Sequence, residues 1–313
     1  MRDLKKTIRN IKSVKIQGAT NICQANILAW RDYLSSLKIA NAANFLIVAR
    51  KIGLLIAGAR PNEPMAINAI QCLIAKLNKA ARTEKTRLGI GYLKKLAQQY
   101  ANDFIVMVEN NNKLMAARGA KLIKNKDKIF THCHSVTVVN ILKNAKKQGK
   151  KFHVFNDETR PLFQGRLTSE DLARAGIVNT MVVDATAGFL VSNFSGDEVK
   201  INKVIMGCDV ILKDNAALNK VGSFNIALAA YTSGIPVYLA GTILKKTNLK
   251  MKATLRDSNE VWPAAPKGLK IINYDFDRIP ARMITGYITE FGVIKPREVD
   301  KYAKKYYPWI LKN

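Results

Sequence analysis

The sequence predicts an α/β protein with a helical N-terminal domain over residues 1–120 and a Rossmann-like parallel-sheet domain over residues 121–313. Three observations lead to this prediction. Apolar residues recur at helical spacing from Leu4 to about Arg118. Beyond that point, short apolar runs alternate with amphipathic segments, an order typical of a parallel sheet with crossover helices. A chain of 313 residues is also long enough for two unequal domains.

The helices of the first domain are predicted from their apolar faces. Apolar residues recur every three or four positions within residues 27–37 and again within residues 67–77. Between these stretches, Pro61 and Pro64 interrupt the pattern and mark a loop ahead of the next helix. We therefore expect a helix on each side of this loop.

The strands of the second domain are predicted from short apolar runs. There are five: Lys128–Thr131, Phe152–Phe155, Thr180–Val183, Lys203–Met206 and Val237–Leu239. Most of them end in small or polar residues. Because ligands of doubly wound sheets bind beyond the carboxyl ends of the strands, we expect these ends to converge on one crevice.

Two features bear on location. The charged segment Met1–Lys6 lacks the apolar core of a signal peptide, and the four cysteines form neither a C-x-x-C pair nor a disulfide framework, so we expect a cytoplasmic protein. Residues 223–244 are long and uncharged enough to raise the question of a membrane span. Ser233 and Pro236 lie within a break in this stretch, which predicts a buried helix followed by a buried strand and no membrane span.

The formal charge of +28, from 51 Lys and Arg against 23 Asp and Glu, favours anionic partners. Nucleic acid is one such partner. The basic residues, however, are spread along the chain singly or in pairs, and we interpret most of them as solvated surface. Nucleic-acid binding is therefore not the favoured hypothesis. A phosphorylated substrate would account for a few of the charges.

Cys133 is a candidate for acid–base chemistry because it follows a predicted strand and precedes a predicted helix. The positive end of a helix dipole would lower the pKa of its thiol. The alternative is a small core residue. The flanking His132 and His134 suggest a metal ligand set, but adjacent strand residues point to opposite faces and no second cluster supplies ligands, so no metal site is expected.

Asp209 follows the predicted strand at residues 203–206, where a carboxylate would be placed to shuttle protons. The alternative is a helix or turn cap. Glu158 and Asp184 are similarly placed, and we expect them to orient backbone groups or ribose hydroxyls.

Several residues are candidates for binding phosphate. They are Gly18, Ala19, Arg60, Arg160, Asn219, Lys220 and Gly222. Glycine allows close approach of the backbone, arginine offers bidentate hydrogen bonds, and the segment at residues 219–223 precedes a predicted helix whose N–H groups would bind anions. The alternative for each glycine is an ordinary turn. No stretch completes a dinucleotide fingerprint, so a nicotinamide cofactor is not indicated.

Taken together, these segments resemble one family. It contains the ribose-1,5-bisphosphate isomerases, the methylthioribose-1-phosphate isomerases and the regulatory α, β and δ subunits of eukaryotic translation initiation factor two B. The matching segments, in family order, are residues 16–20 (IQGAT), 60–61 (RP), 131–135 (THCHS), 158–161 (ETRP), 164–165 (QG), 207–209 (GCD) and 219–222 (NKVG).

The resemblance implies a helical domain on a Rossmann-like domain, assembled as dimers or as a hexamer of three dimers. It implies an isomerase that converts ribose 1,5-bisphosphate into ribulose 1,5-bisphosphate without a cofactor. The isomerase branch is favoured because this chain keeps Cys133 and Asp209, at positions where the regulatory subunits typically lose the cysteine and the aspartate. Cys133 would take the C2 proton, and Asp209 would move a proton at O1 or C1. The same motifs add Gln17, Ser135 and Gln164 to the residues expected to bind substrate.

Three departures from the family pattern concern the substrate, one of which is that residues 241–245 replace the family's aromatic-lysine pattern. Gln17 stands where the family often has arginine, and Cys208 replaces the usual alanine. The resemblance therefore leaves two alternatives open: a methylthioribose-1-phosphate isomerase, and a non-catalytic regulatory subunit or sensor of sugar phosphates and nucleotides. The expected partners are a phosphorylated pentose and further copies of the chain, in a setting of AMP salvage with AMP as a candidate activator.

Overall fold

The structure is a computed structural model that describes residues 4–83, 89–194, 196 and 199–312. These residues form two compact units. The helical unit comprises the described residues up to Asn110, together with Leu244–Lys246 and the residues from Ala303 onward. The sheet unit comprises the described residues of Asn111–Ile243 and Thr247–Tyr302. The predicted fold class is confirmed, and a division into domains at residue 120 stays a prediction.

Five helices supply most of the helical unit. They are α1 (Leu4–Lys12), α2 (Ala19–Ser36), α3 (Ala42–Ala57), α4 (Pro64–Thr83) and α5 (Ile90–Ala120), the last of which extends into the sheet unit. Pro64 opens α4, a position where its missing N–H costs nothing and its restricted φ suits a helix. Trp30 of α2 is fully buried and donates its indole N–H to the carbonyl oxygen of Ala49 in α3 at 2.8 Å. The predicted helical character of this region is confirmed.

The sheet unit contains the strands. In chain order, its elements are β1 (Lys128–Thr131), α6 (Val136–Lys147), β2 (His153–Asp157), α7 (Gln164–Arg174), β3 (Val178–Val182), α8 (Asp184–Val191), β4 (Lys203–Gly207), β5 (Val210–Ile211), β6 (Ala217–Lys220), α9 (Ser223–Thr232), β7 (Val237–Ala240), β8 (Phe276–Ile279), β9 (Gly286–Thr289) and β10 (Gly292–Ile294). A further helix, α10 (Val299–Tyr306), follows β10.

Seven of these strands form one sheet in the order β10-β9-β7-β4-β1-β2-β3. All are parallel except β10, which is antiparallel to β9. Strand order runs outward in both directions from the β1–β4 pair, so the topological switch point lies between these two strands. A second, antiparallel sheet has the order β5-β6-β8. The core against the large sheet is mainly aliphatic and includes Ile129, Ile141 and Leu142.

The five predicted strands are all present, with ends that differ from the prediction by at most two residues. Sequence reasoning missed β5, β6, β8, β9 and β10. These strands have two to four residues each, too few for an alternating pattern to be recognised. One of them contains two of the predicted phosphate-binding residues, because β6 ends in Asn219 and Lys220.

The uncharged stretch at residues 223–244 contains helix α9 followed by strand β7, as predicted. Among the residues that the structure describes, no helix combines the length and the apolarity needed to cross a bilayer.

Candidate active site

Cys133 and Asp209 lie at the switch point of the large sheet. Cys133 follows β1 by two residues and Asp209 follows β4 by two residues. These strands are parallel neighbours, with Phe130 paired to Val204, so their carboxyl ends meet at the same edge of the sheet. The topology thus places the two candidate catalytic residues in the crevice where doubly wound sheets bind ligands.

The backbone of Cys133 is held in an unusual conformation. Its φ is +63°, in the left-handed region that residues with a side chain rarely adopt. Its N–H donates to the hydroxyl oxygen of Thr159 at 2.9 Å, and its carbonyl oxygen accepts from the hydroxyl of Thr168 at 2.8 Å. The thiol donates to Oε1 of Gln164 at 3.5 Å. Three side chains thus determine where the sulfur lies.

The prediction that the thiol of Cys133 has a lowered pKa is wrong, because the pKa is raised. Burial raises the pKa of the thiol to about 12, and the nearby charge of Lys220 and the N–H of His134 lower it only in part. The negative charges of Asp209 and Asp157 act in the same direction as burial. A helix N-terminus does follow, since α6 begins at Val136, but desolvation of the thiolate outweighs the helix dipole. At neutral pH Cys133 is therefore a thiol.

Asp209 is linked to β6 through Asn219. The amide nitrogen of Asn219 donates to the carboxylate of Asp209 at 3.3 Å and to the carbonyl oxygen of Gly207 at 3.2 Å. The opposite amide orientation would turn its oxygen toward these two acceptors. The amide oxygen accepts from the hydroxyl of Ser223 at 2.8 Å. Asn219 therefore holds the candidate catalytic carboxylate.

Lys220 brings a positive charge to the crevice. Its charge acts on the Cys133 thiol, and its ammonium group lies over the ring of Phe276, 5.8 Å from the ring centroid. A cation at this position would stabilise the phosphate of a bound sugar. The structure therefore groups Cys133, Asp209, Asn219 and Lys220 within the sheet unit.

The anion site expected at the start of α9 is already occupied by protein. Oδ2 of Asp277 accepts from the N–H groups of Gly222 at 2.6 Å and of Phe224 at 3.1 Å. These are the free N–H groups that would otherwise face a phosphate. A carboxylate from β8 therefore caps the helix and competes with any anion for these two N–H groups, and a role of Gly222 in binding phosphate stays a prediction.

The ring nitrogens of His132 and His134 have protein partners. Those of His132 lie 2.7 Å from the carboxylate of Asp157 and 2.9 Å from the carbonyl oxygen of Val221. Nδ1 of His134 lies 3.1 Å from the hydroxyl of Thr168. Within the described ranges, no group of three or more His, Cys, Asp or Glu side chains is arranged to hold a metal ion.

The loop after β2 carries several of the predicted binding residues. Asp184 accepts from the backbone N–H groups of Thr159 and Arg160, each at 2.7 Å, so it orients backbone as expected. The guanidinium of Arg160 donates to the carbonyl oxygen of Val261 at 2.9 Å and lies 5.0 Å from the ring centroid of Phe163. Arg160 is exposed, so its guanidinium remains accessible to an anion.

Two other predicted residues, Glu158 and Ser135, also have partners within the sheet unit. Glu158 pairs with Arg166, with 3.0 Å between the carboxylate and the guanidinium. Ser135 caps α6 by accepting from the N–H of Val138 at 3.4 Å, and its side chain also packs close to Gly207. Both Glu158 and Ser135 thus have local structural partners, and a role of Ser135 in binding substrate stays a prediction.

The other predicted binding residues belong to the helical unit. Gly18 precedes α2 with φ +82°, and Ala19 opens that helix. The carbonyl oxygen of Gln17 accepts from the side chain of Asn21 at 3.0 Å. Arg60 pairs with Glu63 at 3.5 Å. Their contribution to a substrate site stays a prediction.

Sequence reasoning did not single out Asp157, Thr159 or Thr168, although each hydrogen-bonds to Cys133 or to a neighbour of it. The first two follow or end β2, and the carboxyl end of that strand was the available signal. Thr168 lies inside α7, where nothing in the sequence marks it.

Comparison with known proteins gives one family. A model described as "Initiation factor 2 subunit family" matches residues 15–296. The ribose 1,5-bisphosphate isomerase of Methanocaldococcus jannaschii is 30% identical, and the match covers 99% of this chain and 97% of that protein. The methylthioribose-1-phosphate isomerase of Thermosipho africanus is 29% identical, and the match covers 94% of this chain and 87% of that protein.

A solved structure shares the fold. Translation initiation factor eIF-2B of Pyrococcus horikoshii OT3 matches with a TM-score of 0.78 at 24% identity, over 95% of this chain and 98% of that one. At this level of identity, the likeness is one of fold alone.

Proposed function

This chain belongs to the initiation factor 2 subunit family, and on that premise we propose that it is a sugar-phosphate isomerase that converts ribose 1,5-bisphosphate into ribulose 1,5-bisphosphate. Nearly full-length similarity to a ribose 1,5-bisphosphate isomerase supports the reaction class. The observation that carries the proposal is the meeting of Cys133 and Asp209 at the ends of adjacent parallel strands, with the charge of Lys220 acting on the thiol.

The chemistry follows from the protonation state of Cys133. Isomerisation requires that the furanose ring open, that the C2 proton leave and that C1 gain a proton. A thiol with a raised pKa gives up its own proton before it can accept another, and the ring oxygen needs a proton when the ring opens. Cys133 donates there, and the resulting thiolate takes the C2 proton.

Asp209 completes the proton transfers. The intermediate after loss of the C2 proton is an enol phosphate with a hydroxyl on C2. Asp209 accepts the proton of that hydroxyl and delivers one to C1, which leaves a ketone at C2 and the phosphate on C1. Each acid–base group contributes roughly 10² to 10⁴ in rate. The donor bond from Asn219 holds the Asp209 carboxylate for this transfer.

Phosphate binding is assigned to the cationic and polar residues already described. Within the sheet unit, these are Lys220 and Arg160. Gln164 contacts the thiol directly, so it is placed to hold the reacting end of the sugar. These groups would orient the substrate. Correct alignment of the reacting atoms contributes more to the rate than any single proton transfer.

The test is turnover of ribose 1,5-bisphosphate, followed by phosphorus NMR for the wild type, Cys133→Ser and Asp209→Asn. We expect conversion by the wild type and a loss of kcat of about 10² to 10⁴ in each variant, with melting temperatures close to that of the wild type. Full activity in either variant would remove that residue from the mechanism.

Methylthioribose 1-phosphate is the second candidate substrate, favoured by the 29% identity to the Thermosipho africanus enzyme. It lacks the phosphate at C5, so the same assay with this compound separates the two. If kcat/KM is larger for methylthioribose 1-phosphate than for ribose 1,5-bisphosphate, methylthioribose 1-phosphate is the substrate.

A non-catalytic regulatory subunit is the remaining alternative, favoured by the family membership and the shared fold. It predicts no turnover of any ribose 1-phosphate and copurification with initiation factor two. The retained Cys133 and Asp209 count against it.

A further inference from the structure

His132 and Asp157 form a buried ion pair beside Cys133. Each side chain is 1% exposed. Nδ1 of His132 lies 2.8 and 2.7 Å from the two carboxylate oxygens of Asp157, and Nε2 lies 2.9 Å from the carbonyl oxygen of Val221. Gly222 also approaches the ring closely, because a Cβ at this position would lie 2.9 Å from Cε1 of the imidazole.

The partners determine the protonation of His132. A backbone carbonyl oxygen can only accept, so Nε2 carries a proton, and the ionised carboxylate accepts from Nδ1, so Nδ1 carries one too. His132 is therefore an imidazolium. Burial alone lowers the pKa of His132, but the hydrogen bond and charge of Asp157, together with the Val221 carbonyl, outweigh burial and raise it.

A chain of hydrogen bonds connects this pair to Cys133. Oδ1 of Asp157 accepts from the hydroxyl of Thr159 at 2.8 Å, and that hydroxyl oxygen accepts from the N–H of Cys133 at 2.9 Å. The single hydroxyl proton is directed at the carboxylate, which leaves the lone pairs of the oxygen for Cys133. The Cys133 N–H thus donates to the Thr159 hydroxyl, that hydroxyl donates to the Asp157 carboxylate, and the His132 imidazolium donates to the same carboxylate.

Cys133 needs such support because its φ of +63° lies in the left-handed region, which is strained for a residue with a side chain. On its other side, His132 donates to the carbonyl oxygen of Val221, the residue after Lys220. One imidazolium thus ties together the two chain segments that carry the thiol and the ammonium group.

We propose that His132, Asp157 and Thr159 are positioning residues that hold Cys133 in its reactive place, and that the ion pair does so as a permanent charge pair. The inference rests on the proposed function of Cys133. None of the three residues touches the reacting atoms of the sugar in this scheme. They act through the backbone of Cys133.

Thr159 offers the sharpest test because one substitution removes the hydroxyl group and another keeps it while removing the methyl group. Thr159→Val removes it, and Thr159→Ser keeps it. We expect kcat to fall about 10²-fold in Thr159→Val with KM within about 3-fold of the wild type, and Thr159→Ser to restore most of the loss. The control is Thr285→Val. This substitution also removes a threonine hydroxyl that accepts a backbone N–H, but the donor is Val237 at the start of β7, away from the carboxyl ends of the strands.

A second readout does not depend on the substrate. The rate of alkylation of Cys133 by iodoacetamide is measured against pH, with the modified peptide identified by mass spectrometry. In the wild type we expect slow alkylation at pH 8 that still rises above pH 9, because the thiol has a raised pKa. In Thr159→Val the released thiol should react about 10-fold faster at pH 8.

These outcomes separate the two proposals. If the wild type converts no ribose 1-phosphate, the proposed function fails, while the alkylation profiles still test the positioning of Cys133. If Thr159→Val matches the wild type in alkylation, or if Thr285→Val shows the same change as Thr159→Val, the positioning role is overturned.

The charge state of the pair has its own test. Nitrogen NMR of the imidazole should show His132 doubly protonated at pH 8, and a neutral ring would overturn the permanent charge. In the variant Asp157→Asn, the ring should lose its second proton at a lower pH than in the wild type.

Discussion

At the scale of single residues, the crevice depends on glycines that allow close approach. A Cβ on Gly165 would lie 1.8 Å from the carbonyl oxygen of Asp157, far inside any possible contact. Gly165 lies in the first turn of α7, between Gln164 and Thr168, which both contact Cys133. The absence of a side chain at this position therefore sets how closely α7 approaches the end of β2.

The variant Gly165→Ala should displace the start of α7. We expect a loss of unfolding free energy of about 2–3 kcal/mol and a loss of kcat, because Gln164 and Thr168 move with the helix. Urea denaturation and the NMR assay measure the two effects. Gly91→Ala is the control, since a Cβ there meets nothing within 4 Å and the substitution in α5 should be neutral or slightly stabilising. Equal stability of the two variants would contradict this account of Gly165.

The sequence was a good guide to the position of Cys133 and Asp209, because strand ends in an α/β pattern mark the crevice. It was a poor guide to their electrostatics. The pKa of Cys133 depends on how much water the fold removes from the thiol, and burial from several distant segments is not visible in local sequence. Thr168 was missed for a related reason, since only the packing of α7 brings its hydroxyl to the backbone of Cys133.

At the scale of elements, a carboxylate from strand β8 caps the start of helix α9. Asp277 of β8 accepts two N–H groups at the helix start, from Gly222 and Phe224. A negative charge at this end also complements the helix dipole. The small sheet and α9 are thus joined at the segment that follows Lys220.

Replacement of Asp277 by alanine should leave both N–H groups without this acceptor. We expect Asp277→Ala to lower the unfolding free energy by about 1 kcal/mol, and Asp277→Asn, which keeps an acceptor oxygen, to lower it by less than half as much. Chemical denaturation of the three proteins under identical conditions gives the comparison. Equal losses in the two variants would show that the cap does not act through these hydrogen bonds.

The large sheet was predictable strand by strand, whereas the small sheet was not. Buried parallel strands such as β1 and β4 show as apolar runs. The residues of β6, Ala217–Lys220, contain one strongly apolar side chain, and they pair with the two-residue strand β5 on one side and with β8, more than fifty residues later, on the other. Pairing over such a separation leaves no local pattern.

At the scale of the whole molecule, the net charge of +28 creates a field that attracts anions. Many of these charges lie on exposed lysines, including Lys146 and Lys147 in the last turn of α6 and Lys151 just before β2, at the end of that helix opposite to Cys133. Such charges act through the summed potential and are screened by salt over about 10 Å at 0.1 M ionic strength.

The field should raise the rate of capture of a bisphosphate. We expect kcat/KM for ribose 1,5-bisphosphate to fall about 10-fold from low to high sodium chloride, because screening weakens steering. Methylthioribose 1-phosphate, with one phosphate, should show a shallower dependence. A flat response for both compounds would remove steering as the use of this charge.

The helical unit contains segments that lie far apart in sequence, and this affects how it folds during translation. This unit includes Leu244–Lys246 and the residues from Ala303 onward, and Asn68 of α4 donates to the carbonyl oxygens of Leu244 and Lys246 at 2.8 and 2.9 Å. A ribosome produces α1–α5 well before these partners exist. Until the intervening strands have emerged, the nascent helices lack part of their native contacts, including the acceptors of the buried Asn68 amide, and chaperones ordinarily bind incompletely packed states of this kind. The unit that is translated first is thus completed last.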